Sequence, residues 1–176
     1  MATPCYHDGN KNKFGDAMLE IKLLILLLVA NGAPVVAWDL FKERFAWPVD
    51  CGAVMPDGRF LLGPAKTWRG LLASLFTTGI TAPLIGFPWT LGAWVAAAAM
   101  AGDLLSSFVK RRLGVQASDT APGLDQIPES LLPLWAVNAH FALGWDRIGL
   151  LVAVFYIAEV SLSPLLYRLG IRKRPY

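Results

Sequence analysis

Cysteine and histidine are nearly absent from this chain of 176 residues, with two of each. Cys5 and Cys51 are too few for a disulfide framework and their spacing fits no thiolate metal site. With only His7 and His140 available, a Ser/His/Asp triad cannot be assembled, and no P-loop spacing occurs. Charge is scarce as well. Asp, Glu, Lys and Arg make up 16% of the residues against 55% apolar ones, and the mean hydropathy is +0.48, outside the range of a water-soluble domain. The net charge of +3 and pI near 9.0 would suggest nucleic acid in a soluble protein. Here the basic residues flank apolar runs, where orienting the chain in a bilayer explains them, and no nucleic-acid partner is expected. No internal repeat is visible, and the one biased stretch, Ala96 to Ala99, suits close helix packing in lipid.

What the chain does have is apolar runs near the length that crosses a hydrocarbon core, about 20 helical residues. They predict an all-α, polytopic membrane protein of about five transmembrane helices, over residues 21–41, 71–87, 89–107, 130–143 and 148–169. Residues 1–20 read as a polar N-terminal arm, 21–169 as a single membrane domain and 170–176 as a basic tail. No cleavage-like site follows the first run, so that span is expected to be retained. Asn31, Gly32 and Pro34 predict a kink or local unwinding in it, because Pro34 lacks an amide proton and frees a carbonyl upstream. The fourth span is the shortest and carries Asn138 and His140, the latter expected to be hydrogen-bonded within the bundle. Trp38, Trp47, Trp89 and Trp145 fall near span ends, where amphipathic rings favour the interface.

Lys and Arg accumulate on the cytoplasmic side of membrane proteins. With five spans, residues 42–70, residues 108–129 and the C-terminal tail share one side and hold 12 of the 16 basic residues. Lys11, Lys13, Lys22 and Arg147 are left for the other. The expected orientation has the N-terminus outside and the C-terminus in the cytoplasm, in the cell membrane.

The two long polar segments on that side have complementary content. The first holds Asp50, Asp57-Gly58-Arg59, Gly63 and Lys66-Thr67-Trp68-Arg69-Gly70 at the mouth of the second span. Glycine-rich turns ending in Lys, Thr and Arg beside a helix N-terminus suit phosphate, whose oxygens can take amides, a hydroxyl and cations together. The bland alternative is that these basic residues only anchor the span. The second segment holds Gly102-Asp103, Ser106-Ser107, Lys110-Arg111-Arg112, Asp119, Asp125 and Glu129. Asp103 follows a run of apolar and small residues, where an ionised carboxylate costs a few kcal/mol unless it is paired or faces water. It is therefore a candidate for function, with a salt bridge to Lys110 or Arg111 as the alternative. Asp125 and Glu129 could return to the same place, and carboxylates with phosphate oxygens are ligands that Mg²⁺ prefers. Glu159 in the last span fits either a functional carboxylate or a pair with Arg168. A non-enzymatic small transporter or anionic-lipid-binding protein would account for the charge asymmetry equally well, but not for the acidic residues.

Taken together, these segments resemble the CDP-archaeol synthase family, related to the phosphatidate cytidylyltransferases. The matching pieces are Asn31-Gly-Ala-Pro34, Pro48-Val-Asp50, Asp57-Gly-Arg59 to Gly63, Lys66 to Gly70, Gly102-Asp103 to Gly114, and Leu124-Asp125-Gln126. The resemblance implies Mg²⁺-dependent transfer of CMP from CTP to a membrane lipid phosphate, giving a CDP-activated lipid and pyrophosphate. It implies Asp103, Asp125 and Glu129 as metal carboxylates, with Lys110 alongside Asp103 and Asp125 in catalysis. Ser107, Arg111, Lys66, Thr67, Arg69, Asp50 and Arg59 would bind nucleotide or lipid phosphate. CTP, the lipid phosphate and the bilayer are the implied partners, with homo-oligomer formation left open. The chain departs from the family pattern at Asp125-Gln126-Ile127-Pro128, where archaeal members read Asp-Gln-Leu-Asp, and Glu129 is the carboxylate on hand to compensate. It departs again at Leu165-Leu166-Tyr167, where a histidine is expected after the paired leucines.

Overall fold

The computed structural model describes residues 9–116, 119 and 121–168, with side chains over 14–116, 119 and 121–164. The basic tail and His7 lie outside what is described, as do the side chains of Leu165 to Tyr167, the second departure. Five helices follow one another: α1 (Gly9–Phe41), α2 (Trp68–Leu84), α3 (Trp89–Arg112), α4 (Gln126–Phe141) and α5 (Trp145–Arg168). Among the described residues, β-structure is confined to two isolated bridges in the α1–α2 loop. The all-α membrane architecture is as expected. Three helices are long and apolar enough to cross a bilayer by length and composition, α1 from Phe14, α3, and α5 to Pro164. At 17 and 16 residues, α2 and α4 rise only about 25 Å, and they sit packed among the longer three.

The helix ends differ from the sequence expectation. Residues 9–20, read as an arm, continue α1, and Asp16 is tied to Arg147 at the start of α5 by a 2.6 Å ion pair. At the far end of the third span, α3 runs on through Lys110, Arg111 and Arg112. The sequence places those three in a loop, yet Lys110 and Arg111 are buried, Lys110 paired with Asp125 at the start of α4 and Arg111 donating to the Gln116 carbonyl.

Nor does α1 unwind at Asn31 to Pro34. Helical structure is continuous through Pro34, and the carbonyl that Pro34 leaves free, Ala30 O, accepts a 2.8 Å bond from Ser74 Oγ of α2. Asn31 Nδ2 donates to Leu27 O within α1. Ser74 is fully buried, so Ser74→Ala leaves that carbonyl without a partner and is expected to cost about 1–3 kcal/mol. A lower melting temperature in detergent with unchanged substrate affinity would check this.

Close helix packing comes from small residues. Gly70, Ser74, Thr78 and Ala82 recur every fourth position on the buried face of α2. Opposite them, a Cβ at Gly92 of α3 would lie 2.7 Å from Ala82 Cβ. The large apolar core, including Leu23, Leu26, Leu27, Leu134, Ile148 and Phe155, fills one end of the bundle. Lys22 over the Phe87 ring and the Arg147 ion pair mark that end. His140 is on an exposed face, edge-on to Phe141, instead of hydrogen-bonded inside the bundle. Toward the other end the core is made of Ala30, Ala96, Ala99 and Met100, and the two long loops close over it.

Candidate active site

Helical periodicity builds one wall of the site. Asp103, Ser107 and Lys110 stand on one face of α3, one turn apart, below Met100. The neighbouring wall comes from α4, which begins at Asp125 and places Glu129 four residues on, on the same face. The two helices can meet because residue 102 is glycine. A Cβ there would fall 2.8 Å from the Glu129 amide nitrogen and closer still to the Pro128 carbonyl. Pro128 sits in the first turn of α4, where its missing N–H would have had no helical acceptor, so the helix tolerates it.

These walls enclose a cavity of about 190 Å³ at the loop end of the bundle. Asp103 pairs with Lys66 at 2.5 Å, and Asp125 with Lys110 at 2.6 Å. The intrahelical pairing of Asp103 with Lys110 or Arg111, weighed from spacing, is not the one formed. Glu129 lies close enough to Asp103 for each carboxylate to act on the other's charge, and Lys66 acts on both. Burial alone would lower the pKa of Lys66, but Asp103, Glu129 and Asp125 outweigh it and hold that ammonium above its ordinary value. Lys66 is therefore a fixed cation. Ser107 is buried with its hydroxyl unpartnered among the described residues, and so is the Arg111 Nε.

Other residues marked from the sequence hold the loops together. Asp50 accepts from the amides of Gly52, Leu62 and Gly63 at 2.9–3.1 Å. Partial burial would raise its pKa, and those amides more than offset it, leaving the carboxyl below the usual range. Arg59 donates to the Arg112 carbonyl at 2.6 Å, closing the C-terminus of α3, while Arg112 pairs with Asp57. Arg69 donates to the carbonyls of Lys42 and Arg44 just beyond α1. Thr67 caps α2 by accepting from the Gly70 amide. None of these four lines the main cavity; Lys66, Ser107, Lys110, Arg111, Asp125 and Glu129 do, with Asp103. Asn31, Asp119 and Glu159 also line it; of these, sequence weighed only Glu159 as a functional carboxylate, against a pair with Arg168, and gave Asn31 and Asp119 no binding role. A carboxylate in an apolar span is functional by default, which was the available signal for Glu159.

The cavity is lined by five carboxylates and three cations. All its acidic donors are hard oxygens, the type a Mg²⁺ ion selects. As the side chains stand, no three of them converge on one point among the described residues, because Lys66 and Lys110 hold Asp103 and Asp125.

The family model for CDP-archaeol synthase, described as CarS-like, matches residues 83–176. A CDP-archaeol synthase of Aeropyrum pernix is 37% identical over 92% of this chain and 94% of its own length. The chain belongs to the CDP-archaeol synthase family. A second CDP-archaeol synthase, of Hyperthermus butylicus, is 32% identical over 83% of this chain and 90% of its own. A solved structure described as an intramembrane enzyme for archaeal membrane lipid biosynthesis superposes with a TM-score of 0.71 at 33% identity, covering 80% of this chain and 90% of the other. The non-enzymatic reading is thereby set aside: the chain is a membrane-embedded enzyme of the cytidylyltransferase class, as CDP-archaeol synthases are.

Proposed function

We propose that this protein transfers CMP from CTP to the phosphate of a membrane lipid, with Mg²⁺, at the cytoplasmic face, giving a CDP-activated lipid for phospholipid synthesis. The observation that carries the reading is the cavity in which Asp103, Asp125 and Glu129 meet Lys66, Lys110 and Arg111, drawn from the α1–α2 loop, the end of α3 and the start of α4. The relatives' name favours an archaeol-type lipid.

In the reaction, a lipid phosphate oxygen attacks the α-phosphorus of CTP, the bond to the β-phosphate breaks, and its electron pair leaves with pyrophosphate. A phosphomonoester is already anionic at neutral pH, so no general base is needed, in keeping with a cavity lining that, among the described residues, holds no histidine. What the protein must do is bring two anions together and stabilise the charge that develops on the leaving group. Lys110 and Arg111 face the cavity from the last turns of α3 and can take the triphosphate oxygens. Lys66 can contact the α-phosphate from the other loop. Asp103, Asp125 and Glu129 would hold magnesium, which when bound screens the phosphate charges from one another.

The test is conversion of labelled CTP into lipid-extractable product by the purified protein in detergent with Mg²⁺, across archaeol-type, diacyl and polyprenyl phosphates. Product is expected with at least one of them and none without the metal. No product with any of them would end this reading.

A further inference from the structure

We infer that the two substrates occupy separate compartments, and that the lipid phosphate binds in a side pocket divided from the nucleotide cavity by the Lys66–Asp103 ion pair. This rests on the cytidylyl-transfer reading above. The side pocket, of about 70 Å³, lies between α1, α2 and α3 and shares Pro34, Ala65, Lys66, Met100 and Asp103 with the main cavity. It is well under half the size of the main cavity, which suits it to a single phosphate head.

Its remaining lining is suited to that head. Thr67 opens α2, so the positive end of the helix faces the pocket, and the Thr67 hydroxyl keeps its own proton to donate. Arg69 spends its terminal nitrogen on the carbonyls of Lys42 and Arg44, but its Nε is buried and has no partner among the described residues. Trp38 and Leu71 give the pocket an apolar rim. Trp68, next to Thr67 and Arg69 in sequence, and Trp47 are exposed by 49% and 68%, as rings that favour a bilayer interface can be. Lys110 and Arg111 line the main cavity alone. An attacking oxygen from the side pocket and a pyrophosphate leaving toward Lys110 and Arg111 are thus on opposite sides of an α-phosphate held at Lys66. In-line displacement requires that arrangement.

Two variants test it, Arg69→Gln, which removes a donor, and Leu71→Trp, which fills the pocket and leaves Arg69 on the Lys42 and Arg44 carbonyls. Each is expected to raise the KM for lipid phosphate by about tenfold or more, while the KM for CTP and the CTP-induced rise in melting temperature stay near wild type. Arg69→Lys is expected to recover part of the loss. Equal weakening of CTP would place nucleotide phosphates in the side pocket and overturn the inference, as would an unchanged lipid KM in both variants. A wild-type protein that makes no CDP-lipid would instead overturn the underlying reaction.

Discussion

Asp103→Asn is expected to lower CTP-dependent CDP-lipid formation by at least about 100-fold while the protein still folds and inserts. The substitution keeps the side chain's size and removes one negative charge from the point where the two loops meet. Folding survives because Lys66 loses one counter-charge and keeps two, since Glu129 and Asp125 also act on it. Had Asp103 served only to neutralise Lys110 on its own helix, the loss would appear in stability and not in turnover. The pair formed, with Lys66 from 37 residues upstream, puts the carboxylate in the cavity. Turnover of labelled CTP and the melting temperature in the same detergent separate the two outcomes. Full turnover in the variant would remove Asp103 from the site.

The fold was legible where hydrophobicity alone decides it. All five apolar runs became helices, since a backbone in lipid must satisfy its own hydrogen bonds. Helix ends were not legible, because charge was taken as the sign of a loop. Lys110 and Arg111 continue α3: Lys110 is held by Asp125 at the start of α4, a contact the sequence does not show, and Arg111 by the carbonyl of Gln116 just past the helix end. The interruption expected at Pro34 is absent for the same reason: its remedy, Ser74, is on another helix.

Residue chemistry was similarly half-readable. Lysines, arginines and carboxylates around glycine turns pointed to a phosphate site, and six of those predicted as site residues line one cavity, with Ser107. Sequence could not divide the cations between cavity and scaffold. Arg59 on a helix C-terminus, Arg69 on two carbonyls and Lys66 on a carboxylate are alike in a linear pattern, and only the path of the chain separates them.

The departure at Pro128 leads to the last prediction. Asp125 and Glu129 are four residues apart, so Glu129 shares a helix face with Asp125 and its longer side chain reaches Asp103. That reach depends on α4 pressing its first turn against α3, which Gly102 alone permits. Gly102→Ala should therefore behave as a site variant although it removes no functional group. Its methyl would overlap the Pro128–Glu129 peptide, which is backbone and cannot rotate away, so α4 must shift. The expected cost is about 1–3 kcal/mol of stability. Turnover should fall by a factor comparable with that of Glu129→Gln, because both withdraw the same carboxylate from Asp103. Measured side by side, Gly102→Ala is expected to lose both melting temperature and turnover, and Glu129→Gln turnover alone. A fully active Gly102→Ala protein would mean that the contact between α3 and α4 does not position Glu129.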